Sequence, residues 1–189
     1  MRKKIAVLVG SLRKESFNRK MAKAVIALAR ETFQLDIIEI GDLPLYNQDY
    51  DDEGKPPSPW VEFRNRLRSY DGFLFVTPEY NRSVPAPLKN AIDVGSRPYG
   101  QSVWGGKPGA IISVSPGAIG GFGANHHLRQ SMVFLDVPIM QQPEAYIASA
   151  GKLFDERGEL VNQSVREYIS KYMQSFAAWV ETIMCGGKY

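Results

Sequence analysis

Three short stretches of this sequence concentrate polar groups of the kinds that bind ligands. The first, Gly10-Ser-Leu-Arg-Lys-Glu-Ser-Phe-Asn-Arg-Lys20, sets the hydroxyls of Ser11 and Ser16 and the amide of Asn18 beside the charged Arg13 and Lys14. Short donors and a guanidinium, placed where a helix begins and its first N–H groups have no intrahelical acceptor, suit a phosphate-like anion. Helix capping by Ser16 or Asn18 accounts for those residues but not for Arg13 and Lys14. The stretch has neither the Gly-x-Gly-x-x-Gly of a dinucleotide loop nor the Gly-Lys-Ser/Thr of a P-loop. The second, Thr77-Pro-Glu-Tyr-Asn-Arg-Ser-Val-Pro85, combines rigid prolines, an aromatic ring and amide and hydroxyl groups, a set suited to a planar, hydrogen-bonding ligand. In the third, Ser113-Val-Ser-Pro-Gly-Ala-Ile-Gly-Gly-Phe-Gly123, glycines allow backbone amides to approach a ligand, Gly121 and Gly123 leave space, and Phe122 is available for stacking. Any one of these could be a turn-rich connector. Their convergence on one crevice would be a site.

Other chemistries find less support. A receiver domain needs acidic groups where this chain has Gly10-Ser11 and Thr77-Pro78. His126 and His127 are adjacent, so on a helix they point roughly 100° apart and do not readily share one metal; no metal site is expected. Glu39 reads as a solvated strand end, and neither a Ser/His/Asp set nor a carboxylate pair stands out.

The elements that must position these stretches alternate. Ile5 to Val9 is an apolar run of the kind buried on both faces of a parallel sheet. Apolar residues at Met21, Val25, Leu28 and Ala29 predict a helix over 18–30, and residues 35–40 a second strand. After a turn-rich connection over 41–59, Ser58 and Pro59 read as cap and first residue of a helix placing Trp60, Phe63 and Leu67 on one face. Residues 73–76 form a third strand. Pro87 can open a helix through Leu88, Ala91 and Ile92, with Gly95 ending it as a C′ glycine. Residues 110–114 are the fourth strand, Leu128, Met132 and Leu135 mark another helix, and a short fifth strand lies near 139–140 or 146–147. The last helix has the clearest pattern: Val165, Tyr168, Ile169, Tyr172, Met173, Phe176, Val180 and Ile183 share a packing face. The expected fold is α/β, a flavodoxin-like doubly wound five-stranded parallel sheet of order 2-1-3-4-5 with helices on both faces, one domain over 1–189. Ligands of such sheets sit beyond the carboxyl ends of the strands, which is where the three stretches fall.

Composition narrows the setting. With 189 residues, 44% hydrophobic and 23% charged, the chain reads as a soluble globular domain. Seven of its 23 basic residues and one of its 20 acidic residues fall within the first twenty positions, a local +6, while the remainder sums to −3. That asymmetry suits a local anion site rather than a nucleic-acid footprint. The sole cysteine, Cys185, rules out an intramolecular disulfide and fits a reducing cytoplasm. Met1 to Val9 superficially imitates a signal peptide but has too short an apolar run. Residues 108–128 match a membrane span in length but contain two prolines and five glycines, so no membrane segment is expected.

The motifs resemble those of the NADPH-dependent FMN reductase family, in particular its chromate and quinone reductase branch. Gly10-Ser-Leu-Arg-x-x-Ser-x-Asn18 is similar to the family's FMN-phosphate loop. Thr77-Pro-Glu-Tyr-Asn-x-Ser-x-Pro85 with Leu88-Lys-Asn-Ala-Ile-Asp93 resembles its flavin-ring signature, and Ser115-Pro-Gly-x-x-Gly-Gly121 with Leu128-Arg-Gln130 its third motif. The resemblance implies that Ser11, Arg13, Ser16 and Asn18 hold the phosphate, that Pro78, Glu79, Tyr80 and Asn81 line the flavin ring with Ser83 in the same binding set, and that Ser115 and Gly117 close the other side. It departs from many members at Ala86, Val94 and Gly123, where those carry Gly, Trp and Arg, and the last bears on charge at an acceptor mouth. The implied activity is ping-pong transfer from NADPH or NADH through FMN to quinones, with chromate as an incidental acceptor and no catalytic side chain. The implied assembly is a homodimer or homotetramer, with Arg82, Arg97 and Tyr99 near a neighbour. Two alternatives stand beside it: a reductase releasing reduced FMN to a monooxygenase, and a non-enzymatic flavodoxin-like electron-transfer module, the latter in tension with a pI near 8.9 because flavodoxins are strongly acidic.

Overall fold

The computed structural model describes residues 2–186; Met1 and residues 187–189 of the expected 1–189 unit lie outside the described residues. Five parallel strands, β1 (Lys3–Val9), β2 (Phe33–Ile38), β3 (Gly72–Thr77), β4 (Gly109–Val114) and β5 (Ala145–Ile147), pair in the order β2-β1-β3-β4-β5, as expected. Side chains alternate across a strand, and the two faces of this sheet carry different cores. Ile5, Val7, Val9, Leu74 and Val76 pack beneath α1 (Phe17–Ala29) and α6 (Gln163–Cys185), whose Met21, Val25, Tyr172 and Phe176 meet them. Ala6, Leu8, Phe73 and Phe75 face α3 (Ser58–Arg68), α4 (Ala86–Gly95) and α5 (Phe122–Phe134), where Trp60, Leu88, Trp104 and Leu128 fill the other layer. Because β1, β3 and β4 are covered on both sides, polar side chains are excluded from their middles and collect where the strands end. Among the described residues no helix is long and apolar enough to cross a membrane.

Several local expectations are corrected. A short helix, α2 (Gln48–Asp52), interrupts the turn-rich connection; none of its residues is buried, so no apolar spacing marks it. The α3 helix begins one residue earlier than expected, with Pro57 before it and Ser58 inside it rather than capping it. Strand β2 occupies 33–38 rather than 35–40, and β5 lies at 145–147, while Ile139 makes only an isolated bridge to Gly109. Gly95 is the last residue of α4 and not a left-handed C′ glycine, for Ser96 after it stays right-handed. Its missing side chain has another cause: a Cβ there would stand 2.6 Å from the Trp104 indole.

Two polar arrangements hold the edges. Arg64 grips Asp51 through two bonds of 2.7 Å and donates from Nε to the Val94 carbonyl at 2.9 Å, clamping α2 to α3 and α4. At the other edge β4 outruns its partner. Ile111 lies between the Gly109–Ile139 bridge and the Ile112–Ala145 pairing, so its outward backbone groups have no strand opposite. The fully buried Tyr172 hydroxyl fills the gap, accepting from Ile111 N at 3.0 Å and donating to Ile111 O at 2.8 Å. Burial pushes this phenol above its ordinary pKa, so it remains a donor at any pH the protein meets. Tyr172→Phe would leave a buried N–H and C=O unpaired, a cost of about 1–3 kcal/mol. Urea denaturation should show that loss with an unchanged m-value.

Candidate functional site

The three polar stretches meet at the carboxyl ends of β1, β3 and β4, and each is tied to the other two. Gly10 N donates to Val76 O at 2.9 Å, and the glycine sits so close to the second stretch that a Cβ would lie 3.1 Å from Pro85 and 3.2 Å from Pro78 and Leu88. Asn18, in the first turn of α1, donates from Nδ2 to Val114 O at the end of β4, 3.4 Å away. Glu79, in the second stretch, accepts at Oε2 from Ala124 N in the first turn of α5 at 3.1 Å.

Around the first stretch, Ser11, Ser16 and Asn18 are 7%, 3% and 4% exposed, whereas Arg13 and Lys14 stand in solvent and form no ion pair among the described residues. Ser16 caps α1, its Oγ accepting from Arg19 N at 3.1 Å. Capping and ligand binding do not compete here, because a hydroxyl can accept one bond and donate another. The buried Asn18 Oδ1 has no hydrogen-bond partner. The two buried hydroxyls and the guanidinium without an ion pair among the described residues are donors of the kind that suit an anion, and the unpartnered Asn18 Oδ1 is an acceptor of the kind that suits a hydroxyl. Glu39 lies past the end of β2 and pairs with Arg19, consistent with a solvated strand end.

In the second stretch Thr77 is fully buried and donates from Oγ1 to Pro78 O at 2.8 Å. Tyr80 and Ser83 exchange backbone bonds of 3.1 and 2.9 Å, closing a tight turn. Its two central residues, Asn81 and Arg82, both have positive φ, 50° and 63°, although neither is glycine. Tyr80 is exposed, and Ser83 Oγ shares a 3.0 Å hydrogen bond with His127 Nδ1. In the third stretch Ser115 Oγ accepts from Gly117 N at 3.0 Å, and Ser115 and Gly117 are held to residues 147–150 by backbone bonds.

Three expectations need revision. Gly121 and Gly123 do not border open space: a Cβ would fall 3.0 Å from Ser113 Cβ at the former, and 2.8 Å from Arg82 O at the latter. Gly123 is thus packed beneath the second stretch rather than standing at an open mouth. Phe122 already packs within the protein, its ring tilted against those of His126 at 4.2 Å and Tyr146 at 5.3 Å. The Glu79 carboxylate is directed to α5, so any part it takes in lining a ligand falls to its backbone. Sequence reasoning also missed Tyr146, whose hydroxyl meets His126 Nε2 at 2.9 Å and whose pKa is raised by burial and then by Glu144. No local pattern signals it, nor the His127–Ser83 contact, since the partners come from separate elements.

Comparison with known proteins agrees with this geometry. A family model described as NADPH-dependent FMN reductase matches residues 3–152. The chain is 62% identical over 177 residues to a quinone reductase of Pseudomonas putida, covering 94% of each chain. It is 51% identical to a 2-hydroxy-1,4-benzoquinone reductase of a Burkholderia species, covering 94% of this chain and 96% of the other. Among solved structures, the flavoenzyme NAD(P)H:(acceptor) oxidoreductase FerB of Paracoccus denitrificans superposes with a TM-score of 0.88 at 38% identity, over 95% of this chain and 98% of that one.

Proposed function

The chain belongs to the NADPH-dependent FMN reductase family, and from that premise we propose that it is an FMN-dependent NAD(P)H:quinone oxidoreductase. The observation that carries the reading is the knot of three loops at the strand ends, with buried Ser11, Ser16 and Asn18 on one side and the tight turn at Tyr80–Ser83 on another. The donors of residues 11–18, with the unpartnered Asn18 Oδ1, match a phosphate ester joined to a hydroxylated chain. In this assignment Ser11, Arg13, Ser16 and Asn18 hold the phosphate end. Pro78, Tyr80 and Asn81, the backbone of Glu79, and Ser83 border the ring, with Ser115 and Gly117 on its far side. The chemistry a bound FMN supplies is two-electron transfer from NADPH or NADH to the acceptor, for which no protein side chain need form a bond to substrate.

The protein's contribution is binding, orientation and electrostatics. Arg13, free of any ion pair among the described residues, can turn its fork onto an anion without first breaking a salt bridge. The proline-flanked second stretch offers a rigid edge. Donor and acceptor take turns at one mouth, and quinones are the acceptors, as the names of the relatives suggest; chromate and similar oxidants are incidental. Residues 1–189 act as a single flavodoxin-like FMN-binding domain, since α6, beyond the family-matched region, contributes Tyr172 and Phe176 to the same core. The cytoplasm is the proposed location, for it supplies nicotinamide and a lone cysteine needs no oxidising compartment. The proposed assembly is a homodimer or homotetramer. Tyr99, 92% exposed, and its neighbour Arg97 remain available to a second subunit, whereas Trp104 at the end of the same segment is fully buried and is not.

Titrating refolded apoprotein with FMN and then assaying NAD(P)H oxidation with a benzoquinone tests the reading directly. Arg13→Ala removes a charge-assisted contact of about 1.5–3 kcal/mol and should weaken FMN affinity roughly ten- to a hundred-fold, with far-UV circular dichroism unchanged. Initial rates at several fixed concentrations of NADPH and benzoquinone should give parallel double-reciprocal lines, with inhibition at high quinone; intersecting lines would mean two separate binding surfaces. Light scattering at micromolar concentration should report at least a dimer. A fully active 21.2 kDa monomer would remove the neighbour from the site.

A further inference from the structure

We infer that Glu79 is a positioning residue, its carboxylate fixing the Tyr80–Ser83 turn against the first turns of α5 so that the turn is already set when the flavin arrives. Consecutive non-glycine residues with positive φ persist only where their surroundings hold them, and Asn81 and Arg82 are such a pair. The turn's own two backbone bonds do not touch the rest of the protein. Two hydrogen bonds and a close approach at Gly123 tie this segment to α5.

The Glu79 side chain, 12% exposed, places Oε2 3.1 Å from Ala124 N. The cap position of that helix is Gly121, a residue with no side chain to cap it, so the carboxylate from a different loop satisfies one of its free N–H groups and meets the positive end of its dipole. The other oxygen, Oε1, stands 3.7 Å from the guanidinium of Arg82, one of the two strained residues. One helical turn further on, His127 bonds Ser83, the residue that closes the turn. Between them Gly123 makes the approach possible, because a Cβ would press to 2.8 Å from Arg82 O and 3.0 Å from Glu79 Oε2. The Glu79 carboxylate therefore acts through the turn, directed at α5 and Arg82.

This rests on the FMN reading, and the test separates the two. Amide hydrogen exchange of the FMN-free chain should show Tyr80 and Ser83 amides, which form the turn's bonds, exchanging faster in Glu79→Ala than in wild type. The same variant should bind FMN at least about ten-fold more weakly and shift the visible flavin band. Glu79→Gln, which keeps an oxygen for Ala124, should restore most of both. Gly123→Ala, which pushes on the turn without removing the carboxylate, should reproduce the faster exchange and is the decisive variant if Glu79→Ala does not fold. Unchanged exchange and an unchanged flavin band in Glu79→Ala, or in Gly123→Ala where that variant decides, would overturn the inference while leaving the functional reading intact. A wild-type chain that takes up no FMN would overturn the functional reading instead, and the exchange comparison would still accept or reject the hold of Glu79 on the turn.

Discussion

In a sheet covered on both faces no water reaches the strands, so every N–H and C=O of β1, β3 and β4 must find a partner within the protein. The rest of this structure follows from that constraint. Strand pairing meets it through the middle of the sheet, and where pairing fails a side chain is recruited. Tyr172 is the clearest case, a phenol reaching from α6 to the one stretch of β4 that lacks a neighbour. It also ties α6 to a sheet whose three polar loops all precede it in the chain.

The same constraint keeps polar groups to the strand ends. Leu, Ile, Val, Phe and Ala occupy the interiors of β1, β3 and β4, polar groups appear only towards the strand ends, and the three polar loops gather at the carboxyl ends. There the chain turns sharply, and the turns are held by contacts between loops. Gly10 wedges against two prolines of the next loop, Asn18 reaches to the end of β4, and Glu79 spans to α5. Mutual bracing of this kind makes three loops behave as one rigid edge, which lowers the ordering cost of binding a ligand there.

Charge is distributed to match. Ser16, Asn18, Thr77 and Ser113 are buried and hydrogen-bonded to neighbours, so they supply shape and fixed bonds, while Arg13 and Lys14 stay exposed and without ion pairs among the described residues. Arg19 and Lys20, only a few residues on, are neutralised by Glu39 and Glu15. Of the four basic residues between positions 13 and 20, the two without an ion pair among the described residues are thus both in the first loop.

The strands, the two-layer helical cover and the three polar loops at the strand ends were legible in the sequence because each rests on local signals: β-branched apolar runs, helical spacing of apolar residues, and clusters of proline, glycine, serine and asparagine at strand ends. Ser11, Ser16 and Asn18 could be singled out for the same reason. What escaped was set by residues far apart in the chain. Gly95 looked like a helix terminator, yet its missing side chain makes room for Trp104, nine positions away and in another segment. Gly121 and Gly123 looked like open space and proved to be points of close packing, and nothing local showed that the Glu79 carboxylate meets a helix end. A residue's type states which bonds it can make and how much room it needs. Which neighbour takes those bonds or fills that room depends on where separate elements come to lie, and that was decided only when the sheet closed its cores and brought α5 up against the second loop.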